Sequence, residues 1–272
     1  MNTDHGIIEE YLTDLRMIYD NIHQEFIKKG IDIDLFFSNQ SYCGKNQQGQ
    51  PYLLAGTHPT IVHWPIQDYP GGKIFTNNLV DMSKELYHLI GSDDITWIAP
   101  SNWHCTAFSP IHSSAPDAVK HIPPEAPLLV TEALKNTKIY GLKFTRLAIS
   151  RDGGILALGY PQGSDLLDVR HRLKEAFPNG TIPRLVHITL GYITKNLDHI
   201  THKNINIYLD NFVNDLITIG AIQINFLTYG NYTGPITAMR ISEIFKYTIE
   251  LFPEQSPMIS MTSKSVLRNL SD

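Results

Sequence analysis

Two histidine–threonine pairs are the residues of this sequence best suited to chemistry. One residue separates His104 from Thr106, and one residue separates His187 from Thr189. Alternate side chains of an extended strand share a face, so each imidazole and its hydroxyl would point the same way, about 6–7 Å apart. Two such strands side by side would bring two imidazoles and two hydroxyls into one groove. These groups suit acid–base chemistry on a phosphate.

Other histidine-x-hydroxyl triplets occur in the chain, so the surroundings of each copy decide its interpretation. Around His104 and His187, apolar residues alternate with the histidine and its hydroxyl partner, which is the period-two pattern of a half-buried strand. Pro59 interrupts the copy at His58, and a proline restricts a strand to the edge of a sheet at best. The copy at His199 stands in a polar run before a helical pattern. We therefore expect the chemistry at His104 and His187.

The composition favours a globular protein that binds small ligands. Of the 272 residues, 42% are hydrophobic and 18% are charged, and the net charge is −5. Extended binding to duplex nucleic acid needs a basic surface and is therefore disfavoured. Cys43 and Cys105 are too few for a disulfide framework or a thiolate zinc site. We find neither a secretory signal nor an apolar run near the roughly 18 residues of a membrane span, so we expect a cytoplasmic location and no membrane partner.

Two series of elements in the same order carry the two motifs. Before them, one helix is predicted from about residue 7 to residue 29, ending at Gly30, and another over 79–90. Each series then runs strand, helix, strand, strand, and a helix over 165–177 connects the two. The predicted ranges are 95–109, 125–134, 138–150 and 155–160 in the first series, and 183–194, 205–219, 221–229 and 236–244 in the second.

The two series superpose after a shift of 83 residues, which is the separation of His104 and His187. Sequence identity across the shift is negligible, but element order and spacing agree, which indicates an internal repeat. The predicted fold is α+β, with two pseudo-symmetric β-α-β-β lobes around a central cleft and a helical N-terminal extension. The predicted division is a helical and loop extension packed on the core over 1–92, a two-lobed domain over 93–252 and a peripheral tail over 253–272.

The two motifs resemble those of the 2H phosphoesterases, a superfamily named for paired His-x-Thr/Ser motifs in two pseudo-symmetric lobes. The run from His187 to Tyr192 is similar to the H-x-T-L-x-aromatic pattern of that superfamily at every position. The first motif keeps His104 and Thr106, but alanine replaces the usual leucine. Its aromatic residue, Phe108, stands one position early.

The resemblance implies a phosphodiesterase that needs no metal or other cofactor. It covers roughly residues 95–245, and the superfamily includes 2′,3′-cyclic nucleotide phosphodiesterases, bacterial RNA 2′,5′-ligase-like proteins and 2′,5′-oligoadenylate phosphodiesterases. One histidine would act as base toward water and the other as acid toward the departing ribose oxygen, while the threonines donate hydrogen bonds to phosphate oxygens. The expected catalytic residues are His104, Thr106, His187 and Thr189. Which histidine is the acid stays open.

Three further residues are candidates for binding the substrate. Phe108, on the face of His104, is placed to stack on a base. Tyr192 would join the same groove only if a bulge turned it to the face of His187, and core packing is the alternative for both aromatic residues. Arg146, on a hairpin strand expected to flank the first motif, would steer the phosphate or lie on solvated surface.

The predicted substrate is a small cyclic nucleotide, a 2′,5′-linked oligonucleotide or a related ribose cyclic phosphate. One alternative is a module that holds a nucleotide or an RNA end without turnover. Another is a 2′,5′-end-processing or ligase-like enzyme acting on a short RNA, which an electropositive surface around the cleft would favour. A metal held by Asp198, His199 and His202 is disfavoured because that polar stretch offers no fourth ligand.

Overall fold

A computed structural model describes residues 3–32, 34–35, 43–45, 51–53, 58–91, 94–110, 124–213, 218–233 and 240–249 of the chain. Five α-helices lie within these ranges. They are α1 (Thr3–Lys29), α2 (Gly72–Ile90), α3 (Ala126–Leu134), α4 (Asp165–Ala176) and α5 (His199–Asp210).

The described residues also contain eleven strands, of which nine form one antiparallel sheet. Its order is β11-β10-β3-β5-β8-β7-β6-β9, with β4 paired to β8, while β1 and β2 form a separate pair. The strands are β1 (Cys43–Lys45), β2 (Pro51–Leu53), β3 (His58–His63), β4 (Ile95–Trp97), β5 (Cys105–Phe108), β6 (Tyr140–Ile149), β7 (Gly154–Gln162), β8 (His187–Ile193), β9 (Gly220–Ile224), β10 (Phe226–Thr233) and β11 (Arg240–Thr248).

The strands that carry the two motifs, β5 and β8, are neighbours at the centre of the sheet. The hairpin of β6 and β7 follows β5 in the chain but joins β8 through β7. The hairpin of β10 and β11 follows β8 but joins β5 through β3. The predicted α+β fold with two lobes is confirmed. The predicted flanking of the first motif by the β6–β7 hairpin is wrong, because that hairpin borders the second motif.

Two predicted strands are each broken into two. The strand predicted over 95–109 is interrupted by the 3₁₀ turn Pro100–Asn102, whose proline has no N–H for a ladder. The strand predicted over 221–229 breaks at Asn225, between β9 and β10. The helix predicted over 205–219 begins earlier, because the Asp198 carboxylate accepts hydrogen bonds from the first backbone N–H groups of α5.

The N-terminal segment contributes a strand to the interior of the sheet. β3 lies between β5 and β10, so the boundary predicted at residue 93 divides a continuous sheet. The expectation that Pro59 confines its strand to an edge is wrong for β3 as a whole. It holds locally, because β5 pairs only with Ile61–His63, which leaves Pro59 paired with β10 alone.

The sheet is curled, so that strands far apart in its order come into contact. His63 on β3 and Tyr140 on β6 are hydrogen-bonded at 2.7 Å, although β5, β8 and β7 lie between them in the sheet. The curl encloses a core face on which His63 is fully buried. Burial lowers the pKa of His63 to about 3, which keeps this imidazole neutral.

Helices that combine the length and the apolar character needed to cross a bilayer are absent from the described part of the chain.

Candidate active site

The two histidine–threonine pairs meet on one face of the sheet. The register of β5 and β8 pairs the residues that stand between histidine and threonine in each motif, and both of these are fully buried. Continuing the register by one residue in each direction places His104 opposite Thr189 and Thr106 opposite His187, on the other face. Opposite side chains on neighbouring strands are about 5 Å apart at Cβ, and diagonal ones about 7–8 Å. All four residues are partly exposed, and we call the surface that they share the groove.

A backbone hydrogen bond fixes the orientation of His104. Its Nδ1 lies 2.9 Å from the carbonyl oxygen of Asn102, in the 3₁₀ turn just before β5. A carbonyl can only accept, so Nδ1 carries the proton of the neutral ring and Nε2 carries the lone pair. Nε2 is therefore the atom able to take a proton from water. Burial lowers the pKa of His104 to about 4, an effect that the bond to Asn102 partly offsets.

The surroundings of His187 also favour a neutral ring. Burial lowers the pKa of His187 to about 4, and the nearby charges of His104 and Arg170 act in the same direction. Protonation of one histidine therefore opposes protonation of the other, and the pair takes up its protons one at a time. A bound phosphate anion would favour the protonated form.

A bulge in β5 turns Phe108 away from the groove. Thr106 lies opposite Val62 of β3, but Phe108 lies opposite the next residue, Ile61, which leaves Ala107 as the extra residue. Phe108 consequently points to the core face and is fully buried. The predicted placement of Phe108 on the face of His104 is wrong, and core packing accounts for this residue.

A second bulge, in β8, has the opposite effect on Tyr192. Thr189 lies opposite Leu156 and Gly191 lies opposite Ile155, which leaves Leu190 as the extra residue. Tyr192, opposite Gly154, thereby returns to the face of Thr189 and is partly exposed. The bulge on which the prediction for Tyr192 depended is present.

The two bulges occupy equivalent positions of the repeat. Each extra residue, Ala107 or Leu190, follows directly after the threonine of its motif. The residue after each bulge points to the core, and it is Phe108 in the first motif and Gly191 in the second. A Cβ at Gly191 would come within 2.6 Å of the Thr96 carbonyl oxygen on β4, so the close approach of that strand requires glycine. Phe108 stands at the position of the first motif that is equivalent to Gly191. It therefore points to the core and is buried.

Arg146 lies on the same face as His187 but is engaged elsewhere. Leu158 of β7 lies opposite both Arg146 and His187, so the three residues form one row across the sheet. The Arg146 guanidinium is paired with the carboxylate of Asp20 on α1, and Arg146 is only 7% exposed. The ion pair directs this charge toward α1 rather than toward the groove.

Trp64 is a neighbour of the site that the sequence patterns did not single out. It directly follows β3, and the pairing of His63 with Cys105 continues to place Trp64 beside His104. The indole Nε1 donates to the carbonyl oxygen of Ser101 at 2.8 Å, in the same 3₁₀ turn that orients His104. Trp64 is partly exposed, so it offers an aromatic surface at the rim of the groove. The pairing of β3 with β5, which brings it there, is a long-range contact.

Clusters of three or more histidine, cysteine, aspartate or glutamate side chains able to hold a metal ion do not occur among the described residues. The two motifs instead bring two imidazoles and two hydroxyls to this face. These can transfer protons and donate hydrogen bonds to an oxyanion.

The fold has relatives among solved structures. ATU0111, a conserved protein of unknown function from Agrobacterium tumefaciens, superposes with a TM-score of 0.52 at 15% identity, over 80% of this chain and 97% of its own. The chain shares the fold of ATU0111. TT0787 of Thermus thermophilus has a TM-score of 0.47 at 10% identity, over 71% of this chain and 97% of its own. Escherichia coli LigT, complexed with NADP+, has a TM-score of 0.46 at 9% identity, over 71% and 98%.

No protein-family model and no curated protein matches the sequence. At identities of 15% and below, the structural likeness establishes the fold alone.

Proposed function

We propose that the protein is a metal-independent phosphodiesterase with two-histidine acid–base catalysis. Its substrate is a small cyclic nucleotide, a 2′,5′-linked oligonucleotide or a related ribose cyclic phosphate. The observation that carries the proposal is the register of β5 and β8, which sets the two histidine–threonine pairs diagonally across one partly exposed groove. A site that only binds phosphate has no need of a second proton-transfer group.

The reaction is an in-line hydrolysis. The neutral imidazole takes a proton from water as the water oxygen bonds to phosphorus, and the protonated imidazole gives its proton to the ribose oxygen as the phosphorus–oxygen bond breaks. The hydroxyls of Thr106 and Thr189 donate to the non-bridging oxygens, whose negative charge grows in the transition state. One water is added, and the two histidines exchange protonation states. Opening of a 2′,3′-cyclic phosphate with the 3′ oxygen as leaving group gives a 2′-phosphate.

The electrostatic balance of the chain supports a small substrate. The net charge is −5, whereas proteins that follow a long nucleic-acid backbone usually present many cationic side chains. Trp64 and Tyr192 flank the histidine–threonine pairs on the same face and offer ring surfaces on which a base can stack.

A hydrolysis assay on a panel of substrates tests this function. The panel contains the four 2′,3′-cyclic nucleotides and 2′,5′-linked dinucleotides, each assayed with and without EDTA. We expect turnover of at least one class at a rate that the chelator does not change, and a 2′-phosphate product from any cyclic nucleotide.

Two outcomes would reject the proposal. Turnover that EDTA abolishes, and that added divalent metal restores, would exclude a metal-free mechanism. Saturable binding of these nucleotides without any turnover would make the protein a binding module. A 3′-phosphate product would leave hydrolysis in place but reverse the assignment of the leaving oxygen.

A further inference from the structure

The N-terminal helix packs against the face of the sheet that carries the histidines. Asp20 of α1 is paired with Arg146, which stands in the same row as Leu158 and His187. Leu15, Tyr19 and Phe26 form the fully buried side of the helix. α1 therefore packs beside the groove, next to the strand that carries the second motif.

A gap between the two motif strands is filled by one side chain. β5 and β8 pair at Cys105 and Ile188, and their ladder is not continued beyond Thr106 and His187, toward Ala107 on one side and Leu185 on the other. Arg170 of α4, which is 1% exposed, spans this gap. Its Nε donates to the Ala107 carbonyl oxygen at 3.2 Å, and its Nη2 donates to the Leu185 carbonyl oxygen at 3.1 Å and reaches that of Thr106 at 3.5 Å.

The guanidinium replaces the ladder that the separated strands cannot form. Buried carbonyl groups need hydrogen-bond donors, and arginine presents five in a rigid fork. Because the fork is rigid, it fixes the distance between Thr106 and the segment that leads into His187.

Two tyrosines of α1 form hydrogen bonds near the gap that Arg170 fills. Nη1 of Arg170 donates to the Tyr11 hydroxyl at 2.6 Å, so α1 supports the guanidinium directly. Two turns further along α1, the Tyr19 hydroxyl lies 2.7 Å from the Gly159 carbonyl oxygen and accepts the N–H of Val186 at 3.3 Å. Val186 directly precedes His187, so Tyr19 contacts the backbone before the second motif directly, whereas Tyr11 acts on it through Arg170.

We propose that α1 is a positioning element of the active site. Tyr19, together with the Tyr11–Arg170 contact, holds the backbone on both sides of the gap between β5 and β8 and so sets the spacing of the two histidine–threonine pairs. The inference rests on the proposed function for its catalytic consequence. Its structural consequence, a displacement of His187, can be measured without any assay of turnover.

The charge of Arg170 adds an electrostatic contribution. Its hydrogen bonds to described residues all go to uncharged oxygen atoms. None of these partners carries a negative charge, so the guanidinium favours an anion in the groove beside it.

Tyr19→Phe and Tyr11→Phe test the proposal, because each removes one hydroxyl and keeps the ring. A misplacement of about 1 Å at a reacting group can cost up to about 10²-fold in rate. We expect kcat to fall about tenfold or more in Tyr19→Phe and by a smaller factor in Tyr11→Phe, with KM changed by less than about threefold. The ring ¹H–¹⁵N signals of His187 should shift in Tyr19→Phe.

Tyr247→Phe is the matched control, since the Tyr247 hydroxyl also donates to a backbone carbonyl oxygen, that of Leu134, away from the groove. It should leave kcat and the His187 signals unchanged. Wild-type kcat and unshifted His187 signals in Tyr19→Phe would overturn the positioning role. If the wild type hydrolyses nothing, the proposed function fails, but the His187 signals still decide whether α1 positions this residue.

Discussion

Replacing either histidine of the groove by asparagine is expected to lower kcat by about 10²–10⁴-fold, the usual contribution of one general acid or base. Asparagine keeps much of the volume and an atom able to donate near the position of Nδ1, so the hydrogen bond to Asn102 can be retained in His104→Asn. The loss should therefore reflect chemistry and not unfolding. The measurement is steady-state hydrolysis of the best substrate of the panel, with the thermal midpoint recorded for each variant.

His171→Asn is the control for these variants. His171 is exposed on α4, one residue beyond Arg170, and its replacement should leave kcat within twofold of the wild type. In the double variant of His104 and His187, kcat should fall little further than in the more impaired single variant. The effects of catalytic groups that act as a unit on kcat are not additive. A single variant with wild-type kcat, or a double variant whose losses multiply, would contradict a shared mechanism.

The pH dependence should differ between the free protein and its substrate complex. The pKa values of His104 and His187 are each lowered to about 4, so above that pH the free protein holds both rings neutral. The competent state carries one proton on the pair. We expect kcat/KM, which reports the free enzyme, to be bell-shaped with a maximum near pH 4 and to fall about tenfold per pH unit above it.

The profile of kcat should be displaced toward higher pH. The phosphate of the bound substrate stabilises an adjacent imidazolium and so raises its pKa relative to the free protein. Initial rates over a range of substrate concentrations from pH 3.5 to 8 separate the two profiles. A kcat/KM maximum at or above about 6.5, the ordinary histidine pKa, would show that burial does not depress these groups in solution.

The sequence could predict the groove itself, because its two strands have regular local patterns. His104 and Thr106, like His187 and Thr189, alternate with buried residues over a few positions, and that alternation survives in the structure. The alternation of buried and exposed side chains breaks directly after Thr106 and Thr189. A bulge adds one residue and inverts every later side chain, so the same alternation misplaced Phe108 and left Tyr192 undecided.

The supports of the groove come from parts of the chain far away in sequence. Tyr19 is 167 residues from Val186, and Tyr11 is 159 residues from Arg170. In the sequence, α1 shows an amphipathic pattern that predicts a helix with one buried side, but not the surface it covers. Arg170 likewise resembles any arginine of a helix with charged neighbours. Its burial follows from the separation of β5 and β8, which only the tertiary fold reveals.

If both histidines contact one phosphate, titration of the free protein with inorganic phosphate should perturb both rings together. The ring ¹H–¹⁵N signals of His104 and His187 are followed at pH 5 as phosphate is added. We expect both sets of signals to move along one saturable curve with the same dissociation constant, and the pKa of at least one ring to rise in the complex. Movement of one ring alone, or two unrelated dissociation constants, would show that the two motifs do not share a site.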